Sequence, residues 1–172
     1  DMTAFAKCRI KGPKAEEFLD KLVANKLPKK IGRINLCHAL NTKGGVHSEF
    51  TIMRESENSF YLVSAGAFQR LDHDWIYKWM PKDGSVQFEN LTNSIGVLVV
   101  SGPKARELMK KVSKDDFSNE NFKWLSSKRV NIGNAPANAM RVNFVGELGW
   151  ELHHPMEYQN HIFDKLMEAG KD

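Results

Sequence analysis

Two stretches, FAKCRIKGPKAEEFLDKL (residues 5–22) and IGVLVVSGPKARELMKKV (residues 95–112), share one layout. In each, an apolar run ends at a glycine, Gly12 or Gly102, 90 positions apart. Pro13 or Pro103 follows and suits the first turn of a helix, where a missing N–H removes no hydrogen bond. Apolar residues then recur at helical spacing: Ala15, Phe18, Leu19 and Leu22 in one copy, Ala105, Leu108, Met109 and Val112 in the other. Two strand–GPKA–helix units in one chain predict a pseudo-symmetric α+β fold.

Outward from this repeat, residues 31–40 and 46–54 read as strands joined by Asn41-Thr42-Lys43-Gly44-Gly45, whose glycines tolerate the positive φ of a hairpin. Residues 60–64 read as a third strand. Residues 67–79 read as a helix with Phe68, Leu71, Trp75 and either Ile76 or Trp79 on its apolar face, which places Trp75 and Trp79 in the core. Further strands are expected at 86–90, 95–101, 129–132 and 137–144, with a short helical piece at 122–125. A closing helix over 157–169 would turn Ile162, Phe163, Leu166 and Met167 inward, with Gly170 as its cap. Strands paired by hairpins, with helices between them, predict a mostly antiparallel sheet with helices packed on it. Neither GxGxxG nor GxxxxGK[ST] occurs, so no nucleotide-binding fold is indicated.

The 172 residues, 41% hydrophobic and 27% charged, suffice for a globular core, and ten Phe and four Trp can fill it. Residues 1–172 are expected to form one folded region. No run is apolar enough to span a bilayer and no leader pattern is present, so neither membrane insertion nor secretion is expected. Asp1 in place of an initiator Met implies a segment of a larger polypeptide. Cys8 and Cys37 form no CxxC and read as reduced, buried thiols, which suits a bacterial cytoplasm or a mitochondrial matrix. The six histidines form neither HExxH nor a Cys/His zinc spacing, and no metal is expected. The net charge of +4 comes from scattered lysines that could hold an anionic ligand tail. No nucleic-acid signature accompanies it, so no nucleic-acid partner is expected.

The chemistry concentrates in FVGELGWELHHP, residues 144–155, where two glycines bracket Glu147 near Glu151. In a strand, Trp150 and Leu152 share one face and Glu151 takes the other. Two readings follow. Glu151 is an exposed strand-end acid near Arg141 or a lysine, and His153–His154 a solvated strand end. Or Glu151 is buried and grips adjacent N–H donors of a flat heterocycle, such as the 2-amino, N3–H edge of a pterin.

Three motifs then carry a resemblance that runs from Asp1 to about Gly170. GELGWEL resembles the YTGE-x-G-(aromatic)-E element of the glycine-cleavage T-protein family. GPKARELMKKV resembles its QGPKA strand–helix unit, and LNTKGGVHSEFTI its LN-x-x-GG-x-x-DDL hairpin. DMTAFAKCRIKG, the SEFT strand and GELGWELHHP are most similar to the folate domain of dimethylglycine and sarcosine dehydrogenases.

The resemblance implies a tetrahydrofolate site and assigns its residues. Glu151 falls at the pterin-binding glutamate, Val63 at a backbone contact to the pterin, and Phe144 at the tyrosine beside the folate, without its hydroxyl. Glu49 matches the second Asp of the Asp-Asp pair and is the candidate catalytic acid, while Ser48 replaces the first. Leu36 and Ala65 occupy ligand positions held in T-proteins by Tyr and Asn. These departures weigh against transfer from a lipoyl protein and favour capture of a one-carbon unit as 5,10-methylenetetrahydrofolate. The implied partners are folate, a one-carbon donor, an upstream domain carrying FAD, and downstream C-terminal domains. Three rival readings remain: an aminomethyltransferase proper; a folate-binding iron–sulfur assembly factor, whose KGCYxGQE-type motif this chain lacks; and, from another class, a basic nucleic-acid-binding α+β module.

Overall fold

The computed structural model describes residues 1–171. It divides into two compact units, one of Ala4–Thr92, the other running from Asn93 onward and including Asp1–Thr3.

The first unit contains β1 (Ala6–Lys11), α1 (Ala15–Leu22), β2 (Ile34–Leu40), β3 (Val46–Ser56), β4 (Ser59–Ser64), α2 (Gln69–Trp79) and β5 (Gln87–Asn90). Its strands form an antiparallel sheet in the order β2-β3-β4-β1-β5. Alternate strand residues Cys8, Ile10, Cys37, Phe50, Ile52, Phe60 and Leu62 meet Phe18, Leu19 and Leu22 of α1 and Ile76 of α2 in one core. The second unit contains β6 (Ile95–Ser101), α3 (Ala105–Val112), β7 (Ser127–Ile132), β8 (Ala135–Met140), β9 (Gly149–Pro155) and α4 (Gln159–Ala169). Its antiparallel sheet has the order β6-β9-β8-β7. Met109, Phe117, Phe122, Trp150, Leu152 and Ile162 centre its core.

The GPKA repeat is a repeat of backbone geometry. Gly12 and Gly102 have φ of +131° and +128°, and the N–H groups of Ala15 and Ala105 donate to their carbonyls at 3.0 Å. The helices begin at Ala15 and Ala105, so each proline lies in the preceding turn. The duplication also extends further than the motif. The orders β2-β3-β4-β1 and β7-β8-β9-β6 are equivalent, with β5 added at one edge. Both β4 and β9 run through a short 3₁₀ turn, Gly66–Phe68 or Met156–Tyr158, into an eleven-residue helix.

Several expected elements differ. β8 stops at Met140, so residues 141–148 are loop where strand was expected to 144. Residues 122–125 form turns, with Leu125 in the left-handed region at φ +54°. On α2 the buried residues are Asp72 and Ile76, while Phe68, Leu71 and Trp79 are exposed and Trp75 only packs at the core's margin. Asp72 turns inward because Ser48 Oγ and Ser64 Oγ each donate to its carboxylate at 2.6 Å. On α4 the inward stripe is Ile162 and Leu166, which leaves Phe163 and Met167 exposed.

The two repeat glycines differ in their surroundings. A Cβ on Gly12 would strike the Ser85 carbonyl oxygen, whereas one on Gly102 meets nothing within 4 Å. Both substitutions Gly12→Ala and Gly102→Ala should lose about 1–2 kcal/mol from positive φ. Gly12→Ala should lose more, because backbone rather than a mobile side chain blocks it. Urea unfolding of the two variants compares them, and equal losses would contradict the steric argument.

Candidate functional site

In the first unit, four of the sequence-assigned residues fall in two neighbouring rows of one sheet face. The ladders place Leu36 opposite Thr51, Thr51 opposite Val63, and Val63 opposite Lys7. His38 pairs with Glu49 in the next row, and the same register carried one step past β4 sets Ala65 across from Glu49. This face is opposite the one that bears Cys37, Phe50 and Ile52. Val63 and Lys7 are buried on it, while Leu36 and Glu49 are exposed.

Glu49 Oε2 lies 2.8 Å from His38 Nε2. The histidine comes from β2 and the acid from β3, so the hairpin register alone brings them together. Ser48, one residue earlier, faces the core and is held by Asp72. His47 faces that side too and stacks on Trp75 at 4.1 Å. A β-bulge opposite Ala39–Leu40 puts His47 on the same side as Ser48, and regular alternation after it leaves Glu49 on the outer face.

In the second unit, Glu151 sits mid-strand on β9 and is 5% exposed. It pairs with Val99 on β6 and Met140 on β8, and faces away from Trp150 and Leu152. His153 Nε2 lies 3.1 Å from Glu151 Oε2. The exposed strand-end reading of Glu151 is thereby overturned, and so is the solvated reading of the two histidines, both of which are buried. Arg141 makes no contact with Glu151; it donates to the Phe122 carbonyl and to Asn119 Oδ1.

The glycines that bracket Glu147 have different tasks. Gly146, at φ +79°, makes the loop turn that leaves Glu147 in solvent. Gly149 enters the strand where a Cβ would press on the Val100 carbonyl oxygen and Asn143 Nδ2 at 2.5 Å. Phe144 belongs to the loop and is 85% exposed, where the last residue of a strand was expected.

Sequence reasoning missed two residues on these faces. His38 gave no signal because its partner is set by pairing across a hairpin. Lys7 lies in an apolar run, and its alternation with Cys8 was the available sign that it faces away from the core. Its Nζ donates to the Phe5 carbonyl at 2.6 Å, and burial pushes its ammonium down to about 8.

Comparison with known proteins gives a consistent answer. The GCVT N-terminal domain family matches residues 1–172. The mitochondrial dimethylglycine dehydrogenase of Homo sapiens is 38% identical over 173 residues, covering 100% of this chain and 20% of that protein. An aminomethyltransferase from a Thermoanaerobacter species is 30% identical over 177 residues, covering 100% of this chain and 46% of that one. The chain thus spans about a fifth to a half of the curated relatives it matches. Among solved structures, the glycine cleavage system aminomethyltransferase T from Bartonella henselae superposes with a TM-score of 0.83 at 21% identity, over 99% of this chain and 45% of that one. This likeness establishes the fold: antiparallel sheets with helices packed on them.

Lys7 supplies a test of the buried outer face. Its folded-state pKa of about 8 lies below the ordinary 10.5, so between these values the unfolded chain binds the extra proton and stability rises with pH. Burial pushes the Cys8 thiol up to about 12 and Cys37 up to about 11 from 9.0, which lowers stability only as pH passes about 9. Between pH 8 and 9 the parent should therefore gain stability relative to Lys7→Met. Chemical denaturation at pH 7, 8 and 9 measures this, and a constant difference would mean that Lys7 keeps an ordinary pKa when folded.

Proposed function

The chain belongs to the GCVT N-terminal domain family, and we propose that it is the tetrahydrofolate-binding part of a larger dimethylglycine or sarcosine dehydrogenase-like enzyme. On this reading, residues 1–172 act as one folate domain. A flavin domain elsewhere in the polypeptide, carrying FAD, oxidises an N-methyl amine. The resulting iminium, or the formaldehyde released from it, is captured here. Bound tetrahydrofolate supplies the amine nitrogens that take up the carbon as 5,10-methylenetetrahydrofolate. Downstream domains of the same polypeptide complete the enclosure, in a mitochondrial matrix or a bacterial cytoplasm.

The observation that carries the proposal is the burial of Glu151 on a face away from its own core. A carboxylate there needs donors. His153 engages Oε2, and Oε1 is left for a second donor. A pterin's 2-amino and N3–H groups present parallel donors that suit both oxygens. In the first unit, Val63, Leu36 and Ala65 are the folate contacts that the family resemblance assigns. Phe144, exposed on its loop, is the aromatic contact to the folate on this reading.

Glu49 is the proton acceptor in this scheme. A folate nitrogen must shed a proton as it bonds to the incoming carbon, and a carboxylate within reach speeds that loss. Oε2 is occupied by His38, which steadies the side chain and leaves Oε1 to act. Orientation does the rest, since two small reactants held in place need no further collision.

The two acids should separate in their effects. Glu151→Gln in the full-length protein should weaken tetrahydrofolate binding about 10- to 100-fold, roughly 1.4–3 kcal/mol, by isothermal titration calorimetry. Unchanged affinity would remove the proposed clamp. Glu49→Gln should bind tetrahydrofolate nearly as the parent does but condense it with formaldehyde about 100-fold more slowly. A parent rate in that variant would exclude Glu49 as the proton acceptor.

A further inference from the structure

Two arginines of the second unit converge on one amide oxygen. Arg106, on α3, donates from Nε to the Phe117 carbonyl at 2.8 Å and from Nη2 to Asn119 Oδ1 at 2.7 Å. Arg141, in the loop after β8, donates from Nη1 to the Phe122 carbonyl at 2.5 Å and from Nη2 to the same Asn119 Oδ1 at 2.7 Å. Both guanidinium carbons lie over the Trp150 ring, at 5.7 and 5.8 Å from its centre. Trp150 is fully buried, and its Nε1–H has no acceptor among the described residues.

The cluster is short of negative charge. Arg9, Arg54 and Arg70 each have a carboxylate partner. Arg106 and Arg141 have none among the described residues; their acceptors are two carbonyls and one neutral amide. Asp116, in the same loop, is committed to the Ser118 N–H and to Asn121. Lys128 adds further positive charge, its Nζ 5.3 Å from the centre of the Phe122 ring. Glu107 and Glu120 are exposed and pair with neither arginine. Two guanidiniums that share one acceptor repel strongly in a half-buried setting. Burial and the charge of Arg106 accordingly hold the Arg141 pKa below its ordinary value.

Asn119 is exposed and both arginines are partly so, so the cluster is open to solvent. Each guanidinium gives only two of its N–H bonds to the acceptors above, and the others remain to donate. An oxyanion offers what the amide cannot, charge together with several lone pairs in the geometry a guanidinium fork matches. We propose that Arg106, Arg141 and Asn119 form a binding site for a compact oxyanion, a carboxylate or phosphoryl group, on the Trp150 side of the β9 sheet. The site is distinct from Glu151, which faces the other side of the same strand.

Equilibrium dialysis of the full-length protein against labelled inorganic phosphate and labelled citrate, at matched ionic strength, tests this. One saturable site should be present, weakened at least tenfold in both Arg106→Gln and Arg141→Gln. Arg106→Gln should keep its tetrahydrofolate affinity, which separates this site from the folate reading. Stronger phosphate uptake assigns a phosphoryl ligand and stronger citrate uptake a carboxylate. Absence of saturable uptake of either anion, or a site that persists unchanged in Arg106→Gln, overturns the proposal even if Arg141→Gln fails to fold.

Discussion

A buried carboxylate must be answered by a donor, and Glu151 is a buried carboxylate on a strand whose opposite face is already the core. Trp150 and Leu152 fix the register of β9 by packing inward. Alternation then gives Glu151 no choice of side. His153 meets part of its need from the next position on the same face. The same logic governs β3 in the other unit, where Ser48 turns to the core and Glu49 away from it. In each sheet the apolar residues decide the register, and the register delivers the acid.

Much of this was legible in the sequence where chemistry and backbone coincide. The GPKA motif could be read because glycine permits a φ near +130° and helical periodicity follows at once. The second half of the duplication could not. SFYLVSAGAFQRL and GWELHHPMEYQNHI share a strand, a 3₁₀ turn and a helix, yet almost no residues. Apolar count misled on α2, where tryptophans suggested the core and Asp72 took it. Its partners Ser48 and Ser64 come from two different strands, so no local window reveals them. The burial of Glu151 was one of two open readings until the sheet showed both faces of β9 buried. Phe144 was misplaced because Gly146 turns the chain where an apolar run suggested strand.

The four assigned residues of the first unit lie in two adjacent rows of one face, a pattern that no single motif could display. Family resemblance named them one at a time from scattered positions. The ladders put Leu36 and Val63 in one row beside Glu49, and Ala65 follows the end of β4 on the same register. They also add His38 and Lys7 to the same surface.

The strand order has a temporal side. Within its unit β1 is synthesised first, yet its neighbours are β4 and β5, residues 59–64 and 87–90. β6 likewise waits for β9, residues 149–155. Each sheet is therefore completed by its oldest strand, which must stay unpaired while the intervening hairpins form. Long-range closure of this kind slows folding and leaves apolar edges open in the meantime. Nascent chains halted before residue 59 would carry Ile10 and Cys8 with no strand to receive them, and would be natural clients for a chaperone.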